Sequence, residues 1–217
     1  MTAVRTGHER VNQKQRTRSA IVAAARALAD TGGEVTMPAV AAAARVSEAT
    51  AYRYVPDLVS LLGEAIRRQG AAAAMAAVAN SNDPVERVGV AAEVLARDVL
   101  RRQGAVRAVI AGTVIRPGTA TARPGYRFEL IDHALAPWRT GTPSEPGPDI
   151  HQLIRDLAVV VSAEAVLTLI DLCLLPADDA VASLVTTART LTHAAFAGSS
   201  RSDQSATQRD SRPRSWA

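Results

Sequence analysis

The chain has 217 residues, of which 47% are hydrophobic, 21% charged and 3% aromatic. This length allows one large or two small domains with a buried core, and the shortage of aromatic side chains favours helix packing over a sheet. A single cysteine, Cys173, excludes an intrachain disulfide and a multi-cysteine metal site. We therefore predict an all-α protein, and the polar start of the chain together with the lone thiol favours a cytoplasmic location outside any membrane.

Positive charge is concentrated at the N-terminal end. Residues 1–80 hold ten Lys and Arg against six Asp and Glu, whereas residues 81–217 hold fifteen of each. An excess of this size is consistent with binding to nucleic acid, and equally with ordinary variation of a protein surface. Charge alone therefore does not decide between the two.

The chain begins with a polar segment that has no apolar periodicity. We predict a flexible arm over residues 1–13, followed by a helix that begins at Lys14 and ends at Gly32. The apolar positions of that helix share one face, so one side of it can pack on a neighbour. Arg16 and Arg18 lie on other faces, where they either contact DNA phosphate or remain solvated.

Residues 36–56 contain two short helical patterns separated by a break. Thr36 is the N-cap candidate of the first helix, and Ser47, whose hydroxyl can accept the Thr50 amide, is that of the second. Pro56 ends the second helix. Two brief helices across a turn of this length form a helix-turn-helix, whose second helix enters a DNA major groove.

The residues of this segment follow a distinctive order. They are Thr36, Val40, Ala41, Val46, Ser47, Thr50, Tyr52, Tyr54 and Pro56, followed by the Leu61-Leu62 pair. This order, over about residues 15–66, resembles the DNA-binding domain of TetR-family transcriptional repressors. The resemblance implies an N-terminal three-helix DNA-binding domain and a C-terminal helical domain for ligand binding and dimerisation.

The chain also departs from the family's pattern. The departures are Arg45 and Ala49 in place of frequent glycines, Ala51 and Val55 in place of a common leucine and phenylalanine, and Glu48 and Leu58 in place of frequent lysines. The smaller side chains predict a lighter core around the second helix. The missing lysines mean that part of the affinity for the DNA backbone must come from elsewhere.

Eight residues are candidates for DNA contacts. They are Thr36, Ser47, Glu48, Ala49, Thr50, Tyr52, Arg53 and Tyr54. The two tyrosines are two residues apart on a helix, so they cannot both be core residues, and the resemblance implies that their hydroxyls contact phosphate. Glu48, Ala49, Thr50 and Arg53 are then candidates for base edges, with Arg53 the best suited to guanine. Thr36 and Ser47 can cap their helices and contact phosphate together.

The rest of the chain has helical patterns. We predict a DNA-binding domain over residues 14–66 and a helical domain for ligand binding and dimerisation, the body, over residues 67–198. The predicted helices begin at Asp57 (running on through Ala79), at Asn82 or Asp83, at Val106, at Tyr126, at Asp149 (running to Leu175), and at Asp178 or Asp179 (running to Phe196). A patternless loop precedes Asp149. We predict a disordered tail over residues 199–217.

The last two long predicted helices indicate a dimer interface, and the body indicates a ligand pocket. Their apolar surface exceeds what one subunit can bury, so we predict a homodimer through residues 149–175 and 178–196. The body predicts an apolar pocket for a small hydrophobic ligand, with His133, Trp138, Glu164 and Thr168 as candidate lining residues. Glu164 and Thr168 either line it, face solvent or pair across the dimer, and Trp138 either lines it or plugs the core.

A catalytic reading finds no support in residue spacing. Asp132 and His133 are adjacent and diverge on a helix, and His151 has no partner at metal-ligand spacing. We read Cys173 as a core residue. The sequence therefore predicts no enzyme, cofactor or metal site, but a regulator, most simply a repressor, that binds a palindromic operator in double-stranded DNA and is released by its ligand. The alternative is a ligand-binding or interaction protein with a degenerate helix-turn-helix.

Overall fold

The computed structural model describes residues 3–68, 70–116, 125–139 and 148–210, and every regular element in these ranges is helical. The helices are α1 (Ala3–Ala29), α2 (Met37–Ala43), α3 (Glu48–Tyr54), α4 (Leu58–Ala65), α5 (Ala71–Ala74), α6 (Pro84–Arg101), α7 (Gln103–Ile115), α8 (Tyr126–Arg139), α9 (Ile150–Val160), α10 (Ala163–Asp171) and α11 (Ala177–Asp210). The predicted all-α fold, with an N-terminal helix-turn-helix and a C-terminal helical domain, is confirmed.

Packing divides the chain into two units. The first comprises Met1–Gln69 and Asp98–Gly125, and the second comprises Gly70–Arg97 and Tyr126–Ala217. The first division falls between residues 69 and 70. The sequence pattern gave no sign that α7 packs with α1 and α4 of the N-terminal part.

The core of the first unit is formed by α1, α2, α4 and α7. Helix α4 packs against α1 and α7, and α2 packs against α1 and α3. Ile21, Val40 and Leu61 are completely buried, and burial of a side chain of this size stabilises a fold by about 1.5–3 kcal/mol. Ala51 and Val55 are also buried, so the core beneath α3 is as light as predicted.

Two glycines allow α7 to approach its neighbours closely. A methyl group on Gly104 would lie 2.2 Å from the Gly33 carbonyl oxygen, and one on Gly112 would lie 2.4 Å from Val59 Cγ2. Both distances are far below van der Waals contact. The backbone of α7 therefore rests directly on the turn after α1 and on α4.

In the second unit, α8 packs against α5 and α9, and α11 packs against α9 and α10. The large buried side chains of its core include Val88, Leu130, Ile131, Leu135, Leu157 and Leu184. Ile131 and Leu135 lie one turn apart on the buried face of α8, as the sequence pattern predicts.

A buried arginine ties this core together. Arg87 is 3% exposed, and its guanidinium donates hydrogen bonds to the carbonyls of Val78 (2.6 Å), His133 (2.8 Å) and Ala134 (2.8 Å). Pro137 lies inside α8 and has no N–H to donate to the carbonyl of His133 one turn earlier. Arg87 supplies that missing donor, which explains how α8 continues through a proline.

Both ends of the chain differ from the sequence prediction. Residues 3–13, expected as a flexible arm, form the first turns of α1, because a lack of apolar periodicity means a lack of a buried face and not a lack of helix. Val11 is accordingly 63% exposed. At the other end, α11 continues beyond Phe196, where its end was predicted, as far as Asp210, so the tail expected to be disordered is helical over residues 199–210. Residues 211–217 lie outside the described part.

Two predicted long helices are each broken in two. The helix from Asp57 ends at Ala65, and Gly70, at a φ of 94°, separates it from α5. The helix from Asp149 ends at Val160 because Ser162 takes an extended backbone and caps α10. The Ser162 hydroxyl accepts a hydrogen bond from the Ala165 amide at 3.1 Å.

None of the helices in the described ranges combines the length and hydropathy needed to cross a bilayer.

The turn between α10 and α11 corrects the assignment of Cys173. The thiol was expected in the core, but Cys173 is exposed and lies between Leu172 and Leu174, which are 79% and 80% exposed. Helix α10 ends at Asp171, so the rest of the apolar run lies in a turn. The side chains of this turn do not pack into the core of the described chain.

Candidate nucleic-acid interface

The two helices of the helix-turn-helix begin at the predicted caps. The Thr36 hydroxyl accepts a hydrogen bond from the Ala39 amide at 3.4 Å, and the Ser47 hydroxyl accepts one from the Thr50 amide at 3.2 Å. These bonds satisfy amide groups that have no partner within the first turn of a helix. The N-caps of α2 and α3 are therefore confirmed.

The turn between α2 and α3 is held by three backbone hydrogen bonds. The amides of Ala44, Arg45 and Val46 donate to Val40 (2.9 Å), Ala42 (3.1 Å) and Ala41 (3.0 Å) respectively. The last two bonds form a Schellman motif, in which the residue after the helix adopts a left-handed conformation. That residue is Arg45, with a φ of 56°. It stands where TetR-family members often carry glycine.

Helix α3 presents one face to solvent and the other to the core. Ala51 is completely buried, whereas Glu48, Ala49, Tyr52 and Arg53 are exposed. The four exposed residues form the α3 outer face. Four of the eight predicted DNA-contact residues therefore lie together on a surface that is free in the described chain.

The other candidates on α3 have partners within the protein. The Thr50 side chain is half-buried, and its hydroxyl is 2.9 Å from that of Ser47. Tyr54 is half-buried against the core, and the Arg53 guanidinium lies 5.5 Å from the centre of its ring. The two tyrosines thus differ as their spacing requires, because Tyr52 is 50% exposed.

The Arg53 guanidinium is held without being neutralised. Stacking on an aromatic ring restricts its rotation while leaving its N–H donors available. Within the described ranges it forms no hydrogen bond or ion pair. An arginine in this state can present its fork to a base edge with less loss of rotamer freedom than a free side chain.

Helix α1 lies beside the helix-turn-helix, and sequence reasoning did not identify the residues that it brings there. Gln13, Lys14 and Thr17 line a groove of about 490 Å³ together with Val46, Thr50, Arg53 and Tyr54 of the helix-turn-helix. Lys14 is exposed there. Only packing brings Lys14 of α1 beside α3, so no local pattern in the sequence could have placed it there.

The two arginines on α1 have different surroundings. Arg18 forms a bidentate ion pair with Glu64, with distances of 2.8 and 2.5 Å, and these hydrogen bonds raise the pKa of its guanidinium. Its charge is already compensated. Arg16 is exposed. The sequence left open whether these arginines contact DNA phosphate or remain solvated. Contact with phosphate suits Arg16 better than Arg18.

The four predicted ligand-binding residues all lie in the second unit, on α8 and α10. The Glu164 carboxylate accepts a hydrogen bond from Arg127 at 3.2 Å, and the exposed Thr168 hydroxyl donates to the Glu164 carbonyl at 2.9 Å. Trp138 packs edge-on against Phe196, with ring centres 5.6 Å apart. His133 is half-buried on α8. The patternless loop predicted before Asp149 falls mainly on residues 140–147, outside the described ranges.

Comparison with known proteins supports the fold. No protein-family model matches the chain, and no curated protein matches its sequence. Among solved structures, it is similar to a TetR transcriptional regulator from Rhodococcus sp. RHA1, with 24% sequence identity and a TM-score of 0.54 over 82% of this chain and 96% of that one. The chain therefore has a TetR-like, all-α fold.

Proposed function

We propose that this protein is a transcriptional regulator that binds a palindromic operator as a homodimer, most simply as a repressor. The observation that carries the proposal is the α3 outer face, on which Arg53 is exposed, oriented by Tyr54 and without an acidic partner in the described chain. A helix presented in this way fits a DNA major groove.

The α3 outer face offers chemistry for both kinds of DNA contact. Arg53 matches the two acceptors of guanine, and Glu48 can accept from the amino group of cytosine. Tyr52 is exposed, and we assign its hydroxyl to a phosphate contact. Thr36 and Ser47 at the helix starts, together with Lys14 on α1, supply further phosphate contacts in place of the lysines that are missing from the family's pattern.

The homodimer rests on apolar side chains that the single chain leaves in water. Val159, Leu172 and Leu174 are each more than 70% exposed, and all lie within the segment 149–175 predicted to dimerise. Leu184, in contrast, is 2% exposed and belongs to the core of one subunit. A charge at Leu172 therefore tests the interface, whereas a charge at Leu184 would unfold the subunit.

Release of DNA by a small hydrophobic molecule completes the proposal. Trp138 reports on it, because a ligand that enters between α8 and α11 must alter the contact with Phe196. With Trp216 replaced by Phe, titration of a hydrophobic inducer should change Trp138 emission over the same concentration range in which operator DNA dissociates. An inducer that releases DNA without changing the emission would place its site elsewhere.

Selection of binding sites from random duplexes tests the function directly. The expected product is a two-fold symmetric sequence with half-sites about one helical turn apart, whose affinity falls steeply with salt. The alternative protein with a degenerate helix-turn-helix would enrich no sequence. Glu48 stands in a position where family members often have a lysine, so a Glu48→Lys variant adds a test: it should bind non-specific duplexes more tightly than the wild type.

A further inference from the structure

The first unit contains a second charged cavity whose lining does not include the α3 outer face. Its volume is about 420 Å³, and it is lined by Val22, Arg26, Asp30, Glu64, Arg67, Arg68 and Arg102. Four arginines thus face two acids, and only one lining residue is apolar. A cavity of this volume is large enough for a small molecule, but its walls do not suit a hydrophobic one.

The buried arginine of this cavity lacks part of its compensation. Arg102 is 2% exposed, and it bonds to the Asp98 carboxylate and donates to the Ile66 carbonyl at 2.9 Å. Its Nε has no hydrogen-bond partner among the described residues. The Asp30 carboxylate lies 3.6 Å from Nε, which is close enough for attraction but too long for a hydrogen bond.

The nearest carboxylate is shared among three guanidiniums. Asp98 pairs with Arg68 at 3.0 Å and with Arg101 at 2.7 Å, in addition to Arg102. Asp30 adds weaker ion pairs with Arg101 at 3.5 Å and with Arg102 at 3.6 Å, so two carboxylates compensate three guanidiniums. Burying charge with incomplete compensation is costly, so the cluster gains stability from any further anion that enters the cavity.

The remaining positive side chains of the cavity have no acid to neutralise them among the described residues. Arg26 donates to the Ala65 carbonyl at 2.9 Å, which is an uncharged acceptor. Arg67 is exposed, and its side chain forms no hydrogen bond or ion pair within the described ranges. Glu64 could neutralise one of them, but both of its carboxylate oxygens already bind Arg18.

We propose that this cavity binds a small molecule carrying carboxylate or phosphate groups. Arginine forks match both groups in geometry, and bonds between charged partners are the strong ones. Arg67 and Arg26 receive the anionic groups at the entrance, and Arg102 supplies the positive field beneath them. The proposal does not depend on DNA binding, because it rests on a different set of residues.

Isothermal titration of the full-length protein with inorganic phosphate and with citrate, against chloride at equal ionic strength, tests the proposal. A charge-assisted hydrogen bond contributes about 1.5–3 kcal/mol, so Arg67→Gln should weaken binding about tenfold or more. Asp30→Asn removes a competing negative charge and should tighten it. Arg155→Gln, an exposed arginine of α9, is the matched control and should leave binding unchanged.

Three results would overturn the proposal. One is the absence of binding by either anion at millimolar concentration. Another is an equal loss of binding in Arg67→Gln and Arg155→Gln, which would mean a general salt effect. The third is that a short non-specific DNA duplex displaces the anion, and that Arg67→Gln weakens binding of this duplex by the same factor as it weakens binding of the anion. That result would make the cavity a contact for the DNA backbone.

Discussion

The left-handed residue in the turn between α2 and α3 offers a sharp test of the local energetics. A residue with a Cβ pays about 1–2 kcal/mol for this conformation, whereas glycine adopts it without strain. Arg45 holds a φ of 56°, and the Schellman hydrogen bonds around it keep that geometry whatever the side chain. Arg45→Gly should therefore relieve the strain without rearranging the turn.

The expected gain follows from two opposing terms. Relief of the left-handed strain is worth about 1–2 kcal/mol, and the greater freedom of glycine in the unfolded chain removes roughly 0.5–1 kcal/mol. The net expectation is a stabilisation of about 1 kcal/mol. Arg45 is exposed and has no side-chain partner in the described part of the chain, so no lost contact offsets this gain.

Urea unfolding at a fixed protein concentration measures the difference, because association adds a concentration-dependent contribution to stability. Arg45→Ala is the matched control, since it removes the side chain but keeps the Cβ and the strain, and it should change stability by less than about 0.5 kcal/mol. Ala43→Gly, two residues earlier in α2, should instead lose about 0.5–1 kcal/mol. Equal stability of the glycine and alanine variants at position 45 would refute the reasoning.

Three further changes test the packing. Arg87→Leu should cost about 3 kcal/mol in urea unfolding, because buried carbonyls of α8 lose their donor, and a cost below about 1 kcal/mol would contradict that role. Gly112→Ala should cost about 1–3 kcal/mol, and adding Val59→Ala should recover part of it, since the new methyl group meets Val59. Leu172→Glu should convert a dimer to a monomer in light scattering, while Ile115→Glu, at 77% exposure, should leave assembly unchanged.

Much of the helix-turn-helix could be predicted because its determinants are local. The caps Thr36, Ser47 and Asp57 each bond to an amide three residues ahead, so their spacing alone places three helix starts. The light core under α3 follows in the same way from the small side chains Ala51 and Val55.

The features that escaped prediction depend on packing between distant segments. Lys14 lies beside α3 only because α1 packs there. The donor that replaces the missing N–H of Pro137 comes from Arg87, fifty residues earlier in the chain. Breaks were also missed where an apolar pattern continues across a cap, as at Ser162. Periodicity reports which face is buried, but it does not report where a helix ends when the next one is equally apolar.

The central claim is that Arg53 on the α3 outer face reads DNA, and selection of binding sites by wild type and Arg53→Ala in parallel tests it most directly. The variant should lose about 1–3 kcal/mol of affinity for the wild-type site and should relax preference at one position of each half-site. Tyr52→Phe, which removes only a hydroxyl, should weaken binding to all sequences alike. An unchanged selected sequence for Arg53→Ala would contradict the account.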